Sequence, residues 1–223
     1  MAGILFIISA PSGSGKSTIV SQLQTLVEGL DFSISYTTRP PRGSEKNGRE
    51  YHFTTREVFE RMIEDGDFLE WAEVFGNYYG TAQSALEHAE RKGKDLLLDI
   101  DVQGAMQVMK KLPEAVSIFI MPPSPQVLEM RLRNRSEAER MTIEEVIERR
   151  LREAHEELKQ VEKYRYAIVN DVLDQAVTEM KAIVLCERGD SEAARAIAAS
   201  CRTDAASPRL TAALEHFRES VQG

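Results

Sequence analysis

Basic residues are in the minority: 28 Lys and Arg stand against 36 Asp and Glu, a formal net charge of -8. The chain as a whole therefore does not attract DNA, RNA or an anionic bilayer, and any anion site must be built locally. Cysteine is scarce. Cys186 and Cys201 form no Cys-x-x-Cys pair, which argues against a disulfide framework and fits a reducing compartment. His52, His88, His155 and His216 lack metal-ligand spacing and read as surface or packing residues. No apolar run approaches the ~20 residues that cross a bilayer, and no basic segment precedes the first one. A soluble cytoplasmic protein with no nucleic-acid and no membrane partner is the expectation. Internal repeats and low-complexity tracts are also missing. What remains is ordinary globular composition, 42% hydrophobic and 29% charged over 223 residues. At roughly 150 residues per domain, that length suits one large domain or one with an inserted lobe.

The most informative stretch is Ala10-Pro11-Ser12-Gly13-Ser14-Gly15-Lys16-Ser17-Thr18. An apolar, strand-like run from Ile4 to Ser9 precedes it. Ile19, Val20, Leu23, Leu26 and Val27 follow at helix-face spacing. Strand, glycine-rich turn, Gly-Lys-Ser and helix make the context of a phosphate-binding loop. Backbone N–H groups of Ser12 to Thr18 face a polyphosphate there, and the helix N-terminus adds partial positive charge. Lys16 reaches the β- and γ-phosphates, and the Ser17 hydroxyl suits Mg²⁺. Ala10 stands where the pattern has its first Gly.

Beyond the loop the chain alternates strand and helix, which argues a parallel α/β sheet with right-handed crossovers. Strands are expected at Phe32–Tyr36, Asp95–Asp101, Ala115–Met121 and Tyr166–Val169. Helices are expected near 84–92, 102–111, 126–133, 142–162 and 173–186. Residues 34–83 break the alternation. They hold short strands, a helix from Thr55 to Gly66, and a hairpin turning at Gly76-Asn77, and they read as a small inserted lobe with Phe68, Trp71, Phe75 and Tyr78 in its core. Leu96-Leu97-Leu98 suits a strand buried on both faces, and Asp99 or Asp101 at its end suits the Mg²⁺ side of a phosphate loop. Arg39 and Arg42 lie three apart on a Pro- and Gly-rich loop ahead of Tyr51, an arrangement that can clamp a second phosphate. A phosphate donor site and a separate acceptor site in one chain point to phosphoryl transfer.

Several of these segments resemble guanylate kinases: Thr37-Thr38-Arg39-Pro40-Pro41-Arg42 with Glu45, Gly48, Tyr51 and Phe53; Phe68-Leu69-Glu70-Trp71; Gly76-Asn77-Tyr78-Tyr79-Gly80-Thr81; Leu98-Asp99-Ile100-Asp101-Val102-Gln103-Gly104; and Ile168-Val169-Asn170-Asp171. The resemblance runs over residues 3–186. It implies an α/β fold whose P-loop parallel sheet core is flanked by helices, with an inserted monophosphate-binding lobe and a helical lid. The core would be 1–33 and 84–186 with the lid at about 131–150, the lobe 34–83, and 187–223 a tail of unassigned role. It implies ATP-dependent phosphorylation of GMP and dGMP, with Mg²⁺ held by Ser17 and, through water, Asp99. Arg39, Arg42, Tyr51 and Tyr79 would hold the GMP phosphate, and Ser35, Glu70, Thr81 and Asp101 the guanine. Ser12 to Thr18, Arg131, Arg135 and Asn170 would hold ATP, while Lys16, Arg135 and Arg150 stabilise the transferring phosphoryl group. Guanine chemistry supports the base assignment separately: carboxylates accept from its N1–H and amino groups, and hydroxyls donate to O6.

The lid departs from the family pattern. Asn134-Arg135-Ser136 replaces a Gly-Arg-Gly turn, and the path to Glu144-Glu145 is about four residues longer. Two alternatives stand beside the leading one: a kinase for another nucleoside monophosphate, and a non-catalytic interaction module. Glu70 with Asp101 discriminates against the first, and intact Gly15-Lys16-Ser17 against the second. Oligomeric state is left open.

Overall fold

The computed structural model describes residues 3–138, 144–205 and 207–219, without the side chains of 135–138. In chain order the elements are β1 (Leu5–Ser9), α1 (Lys16–Leu26), β2 (Leu30–Phe32), β3 (Tyr36–Thr37), β4 (His52–Phe53), α2 (Arg56–Glu64), β5 (Phe68–Val74), β6 (Asn77–Ala82), α3 (Gln83–Lys92), β7 (Asp95–Asp99), α4 (Val102–Lys111), β8 (Val116–Met121), α5 (Pro125–Ala138), α6 (Glu144–Leu158), β9 (Tyr166–Val169), α7 (Leu173–Arg188), α8 (Glu192–Ser200) and α9 (Pro208–Glu219). One sheet has the order β2-β7-β1-β8-β9, and a second has the order β4-β3-β6-β5. β1 and β8 are buried along their whole length, as apolar runs without alternation require of strands covered on both faces. The chain divides into two compact units.

The first unit comprises Met1–Ile7 and Gly29–Val116. Here β2 runs parallel to β7, with Leu30 opposite Asp95 and Phe32 opposite Leu97. The strand expected at Phe32–Tyr36 is two strands. β2 ends at Phe32 because its partner is β7, and β3 begins at Tyr36 because its partners are β4 and β6 in the other sheet. The β5–β6 hairpin turns at Phe75-Gly76, both at positive φ (52° and 77°), one residue earlier than the expected Gly76-Asn77. Two successive left-handed residues match the twist of the flanking strands. Thr55 caps α2 by accepting the Val58 N–H, as its place before the apolar pattern implies. Phe59 of α2 stacks on Phe68 (4.4 Å) and Tyr78 (5.2 Å), which builds the core of this sheet. Trp71, 37% exposed, joins that core only at its rim, where it meets Tyr78 edge-on (5.7 Å), and Phe75, 49% exposed at the hairpin tip, stays outside it. α4 is tied to β5 by Gln107 Nε2 donating to the Trp71 carbonyl (2.6 Å) and Lys111 Nζ to that of Leu69 (2.6 Å).

The second unit comprises Ile8–Glu28 and Ser117–Gly223. β8 and β9 pair in parallel, Ile118 opposite Tyr166 and Met121 opposite Val169. α1 packs on α7, both through faces with Ile19, Leu23, Ala176 and Ile183 fully buried. Asn134-Arg135-Ser136, expected as an altered lid turn, is helical: α5 continues to Ala138. Losing both glycines removes the residues that favour leaving the helix, so the backbone ladder propagates. Arg133 closes this segment onto α6 through Glu144 (2.6 and 2.8 Å) while also holding Glu129 on its own helix (2.7 Å). Residues 139–143, expected as a weakly patterned link into a helix, lie outside the described residues.

Beyond residue 187 the sequence offers one helix, over Leu210–Val221, and leaves the role of the tail open. The tail forms α8, capped by Ser191, and α9, whose Leu210, Ala213 and Phe217 are buried. The intervening loop lies along β9, where the Cys201 carbonyl accepts the Ala167 N–H (2.8 Å) and Thr203 N–H donates to the Arg165 carbonyl (3.2 Å). The tail is a packed part of the second unit.

Candidate active site

The first unit holds two clusters of candidate residues, one aromatic and cationic at one end of the site and one acidic at the other. At the first end Arg39 is buried although charged, with 6% of its surface exposed. Its guanidinium forks onto Glu45 (3.0 Å twice), donates to the Pro40 carbonyl (2.7 Å), and lies over the rings of Tyr51 (5.3 Å) and Phe53 (5.8 Å). Tyr51 meets Tyr79 edge-on at 5.9 Å. Glu45 also accepts the Arg42 N–H (2.7 Å), so one carboxylate organises both arginines. That hydrogen-bonded pairing with Arg39 holds the Glu45 carboxyl below its usual range. The Arg42 side chain stands exposed on the same loop. Glu45 appeared in the sequence only as a motif letter; its role in holding the clamp emerges from the loop geometry.

At the acidic end Glu70 is 2% exposed. Its position depends on a register shift. Phe68 opposes Ala82 and Glu70 opposes Thr81, so Leu69 is an extra residue on β5. Such a bulge re-aims the following side chains, and it sets Glu70 directly across from Thr81, on the same face. Thr81 is fully buried and its hydroxyl is 3.4 Å from that of Ser35. Asp101 caps α4, one oxygen accepting from Gln103 (2.8 Å) and Gly104 (3.1 Å). Its role as a helix cap and a role at a ligand are compatible, because the carboxylate has a second oxygen. Burial first, then the Asp101 charge, push the Glu70 carboxyl up to about 7, against hydrogen bonds from Thr81. Asp99 sits half-buried at the end of β7.

Gly104 is required by this packing. A Cβ there would stand 2.3 Å from Glu70 Oε2 and 3.0 Å from its Cδ. Gly104→Ala is expected to raise the KM for the acceptor nucleotide at least 10-fold by displacing the carboxylate, and to leave the KM for the donor within twofold. Steady-state kinetics with each substrate varied in turn checks this; equal effects on both would contradict it.

The Glu70 carboxyl also predicts a pH dependence. A base that presents two N–H donors binds the ionised form, which predominates only above about pH 7 in the free protein. Acceptor affinity is expected to fall as pH drops from about 7 towards 5.5, by close to tenfold per pH unit, with no parallel loss for the donor. An acceptor phosphate titrates near pH 6 as well. The Glu70→Gln variant isolates the two: its pH profile keeps only the phosphate's part.

The second unit holds the phosphate loop. Ser12 is half-buried, Ser14 is buried, and Ser17 and Thr18 are exposed in the first turn of α1. Gly15 precedes the helix at φ 86°, and a Cβ there would lie 2.3 Å from Asn170 Nδ2. Only glycine both adopts that backbone and allows that approach. Gly13 lies under Leu128 and Leu132 of α5. Lys16 opens α1. Asn170, at the end of β9 and 5% exposed, donates from Nδ2 to the Ser14 carbonyl (2.7 Å), and its own carbonyl accepts from Arg131 Nη2 (2.9 Å). It therefore braces the loop, a role its motif position did not reveal. Ser14 Oγ and Arg131 Nη1 are buried with no hydrogen-bond partner among the described residues. Burying two such polar atoms without partners is costly, and a polyphosphate oxygen satisfies both kinds of donor. Burial lowers the Arg131 guanidinium from its usual value, opposed by Asp171. Arg150 is half-buried on α6, and the Arg135 side chain lies outside the described residues.

A buried strand that runs into a glycine loop, with lysine opening the next helix, defines a P-loop nucleotide-binding protein. Among such proteins the guanylate kinase family model matches residues 3–187. The guanylate kinase of Koribacter versatilis is 51% identical over 99% of this chain and 98% of its own length. That of Nitrosospira multiformis is 49% identical, over 83% of this chain and 87% of the relative. The crystal structure of guanylate kinase from Anaplasma phagocytophilum superposes with a TM-score of 0.67 at 36% identity, covering 83% of this chain and 86% of the other. The chain belongs to the guanylate kinase family.

Proposed function

We propose that the chain transfers the γ-phosphoryl group of ATP to GMP or dGMP, in purine nucleotide metabolism. The observation that carries the reading is the buried Glu70 carboxylate, set opposite Thr81 and close enough to Asp101 to feel its charge, in the unit that also bears the Arg39 clamp. Guanine offers N1–H and an amino group to Glu70 and Asp101 and receives O6 contacts from Ser35 and Thr81. Adenine would turn a ring acceptor towards a carboxylate and leave buried groups unpaired. Arg39, Arg42, Tyr51 and Tyr79 take the monophosphate.

The donor half uses the loop N–H groups from Ser12 to Thr18, with Ser14 Oγ and Arg131 Nη1 as further donors to ATP. Lys16 neutralises charge on the γ-phosphoryl oxygens, and Arg135 and Arg150 assist from the lid. An oxygen of the GMP phosphate attacks the γ-phosphorus, the bond to the β,γ-bridging oxygen breaks, and GDP and ADP leave. The attacking oxygen is already anionic, so no general base is needed, and positioning with charge neutralisation supplies the catalysis. Exclusion of water by lobe and lid directs transfer to GMP instead of solvent.

The residues suit Mg²⁺. No cluster of three His, Cys, Asp or Glu able to hold a metal occurs among the described residues, and Mg²⁺ on a nucleotide keeps several waters and takes few protein ligands, all oxygen. Ser17 through its exposed hydroxyl, and Asp99 through water, would hold it. Bound there, the ion would supply positive charge to offset the negative charge that develops on the leaving ADP. The substrates are free nucleotides, and no helix among the described residues is long and apolar enough to cross a membrane; we place the activity in the cytoplasm. The test is transfer of label from ATP, radioactive at its γ-phosphate, in the presence of GMP. Label in GDP supports the reading, and label only in inorganic phosphate contradicts it.

A further inference from the structure

The family match stops at residue 187, yet α9 reaches back to the turn that braces the phosphate loop. Arg209, the second residue of α9, donates from Nη2 to the Val169 carbonyl (2.8 Å) and to Asp171 Oδ1 (2.6 Å), while Nη1 pairs with Glu179. Val169 and Asp171 flank Asn170. Asn170 in turn holds the Ser14 carbonyl through its amide and Arg131 through its carbonyl. One guanidinium thus fixes both neighbours of the residue that supports the loop and a donor-side arginine.

The chemistry suits this task. A planar fork can bind a carbonyl and two carboxylates at fixed angles, which a lysine ammonium does only loosely. Glu179 is 8% exposed on α7 and also accepts from Gln175 (2.9 Å), so it gives Arg209 an anchored counter-charge. α9 itself is seated by buried Leu210, Ala213 and Phe217. The tail therefore has a rigid base from which to hold the Asn170 turn.

We propose that Arg209 is a positioning residue for the donor nucleotide. It acts through Asn170 on the phosphate loop and Arg131, and makes the C-terminal tail part of the ATP site. This rests on the reading of that loop as the ATP site. Without Arg209 the 169–171 turn loses its outer support, Asn170 leaves the Ser14 carbonyl more often, and the loop presents its N–H groups less well.

The test measures binding of a non-hydrolysable ATP analogue by calorimetry, together with steady-state kinetics, on the full chain. Removing Arg209 alone would strand the buried Glu179 charge, so Arg209→Met is made together with Glu179→Gln. Asp171→Asn is the second variant and keeps the Arg209–Glu179 pair intact. The double variant is expected to weaken analogue binding and raise the KM for ATP about 10-fold, with the KM for GMP within twofold. Asp171→Asn should do the same at about threefold. Arg209→Lys should recover part of the loss, because it restores charge without the fork. A merely structural tail would shift both KM values together or neither. Unchanged analogue binding in Asp171→Asn and in the double variant would overturn the inference while leaving the function intact. If the unaltered protein itself fails to bind the analogue, the reading of the loop is what fails.

Discussion

Lys16→Ala is expected to lower kcat for ATP-dependent GMP phosphorylation by on the order of 10³-fold, about 4 kcal/mol of barrier. Lys16 is the first residue of α1, where the helix N-terminus and the loop N–H groups converge. Those groups bind the ground-state polyphosphate as well as the transition state. The ammonium matters most where charge spreads over the transferring phosphoryl oxygens, so the loss should fall on kcat more than on the KM for ATP. Alanine is the best helix former and Lys16 is half-buried, so thermal stability should stay close to that of the parent. Kinetics and a melting curve on one preparation check both parts. A variant with near-parental turnover would remove Lys16 from the mechanism.

Glu70→Gln is expected to act in two opposite directions. The amide keeps one acceptor and gains a donor, so one of the two N–H groups of guanine meets an N–H of its own kind. The kcat/KM for GMP should fall by 10²–10³-fold, and the preference over AMP should shrink with it. Stability should move the other way. The carboxyl rises from 4.5 to about 7 on folding because burial disfavours its charge. Between those values the folded state holds a proton that the unfolded state has released. Stability therefore declines as pH rises from 4.5 to about 7, and the full cost, on the order of 3 kcal/mol, is present above 7. Glutamine carries no such cost. The variant should melt higher than the parent at pH 8, with the difference gone near pH 4.5. An inactive variant that is also less stable at pH 8 would mean that Glu70 is an ordinary structural carboxylate.

The residue types proposed to do the chemistry were legible because phosphate and guanine each demand a particular set of donors and acceptors. Gly15-Lys16-Ser17 and Arg39 stand out by kind and spacing, whereas Glu70 and the guanine role of Asp101 come from the resemblance to guanylate kinases. What could not be read were the contacts that aim them. Leu69 as a bulge residue has no local signal, yet it sets Glu70 across from Thr81. Glu45 was visible as a letter in a motif, but only the folded loop shows it gripping Arg39 and the Arg42 N–H together. Helix boundaries failed where glycines had gone: a turn was expected at Asn134-Arg135-Ser136, and α5 runs straight through it. Phe75 was assigned to a core by hydrophobicity, but its place at the hairpin tip leaves it exposed, and Trp71 reaches the core only at its edge, against Tyr78. The tail is the furthest case: its last helix has a legible pattern, but Arg209 finds its partners some 30 to 40 residues away in sequence.

The most direct test of the whole assignment is ADP formation from ATP and Mg²⁺ with GMP, dGMP, AMP, UMP, CMP and TMP supplied one at a time. Turnover with GMP and dGMP, at a kcat/KM roughly 10⁴-fold above AMP and the pyrimidine nucleotides, is the expected result. Comparable turnover with AMP, or none with GMP, would contradict it.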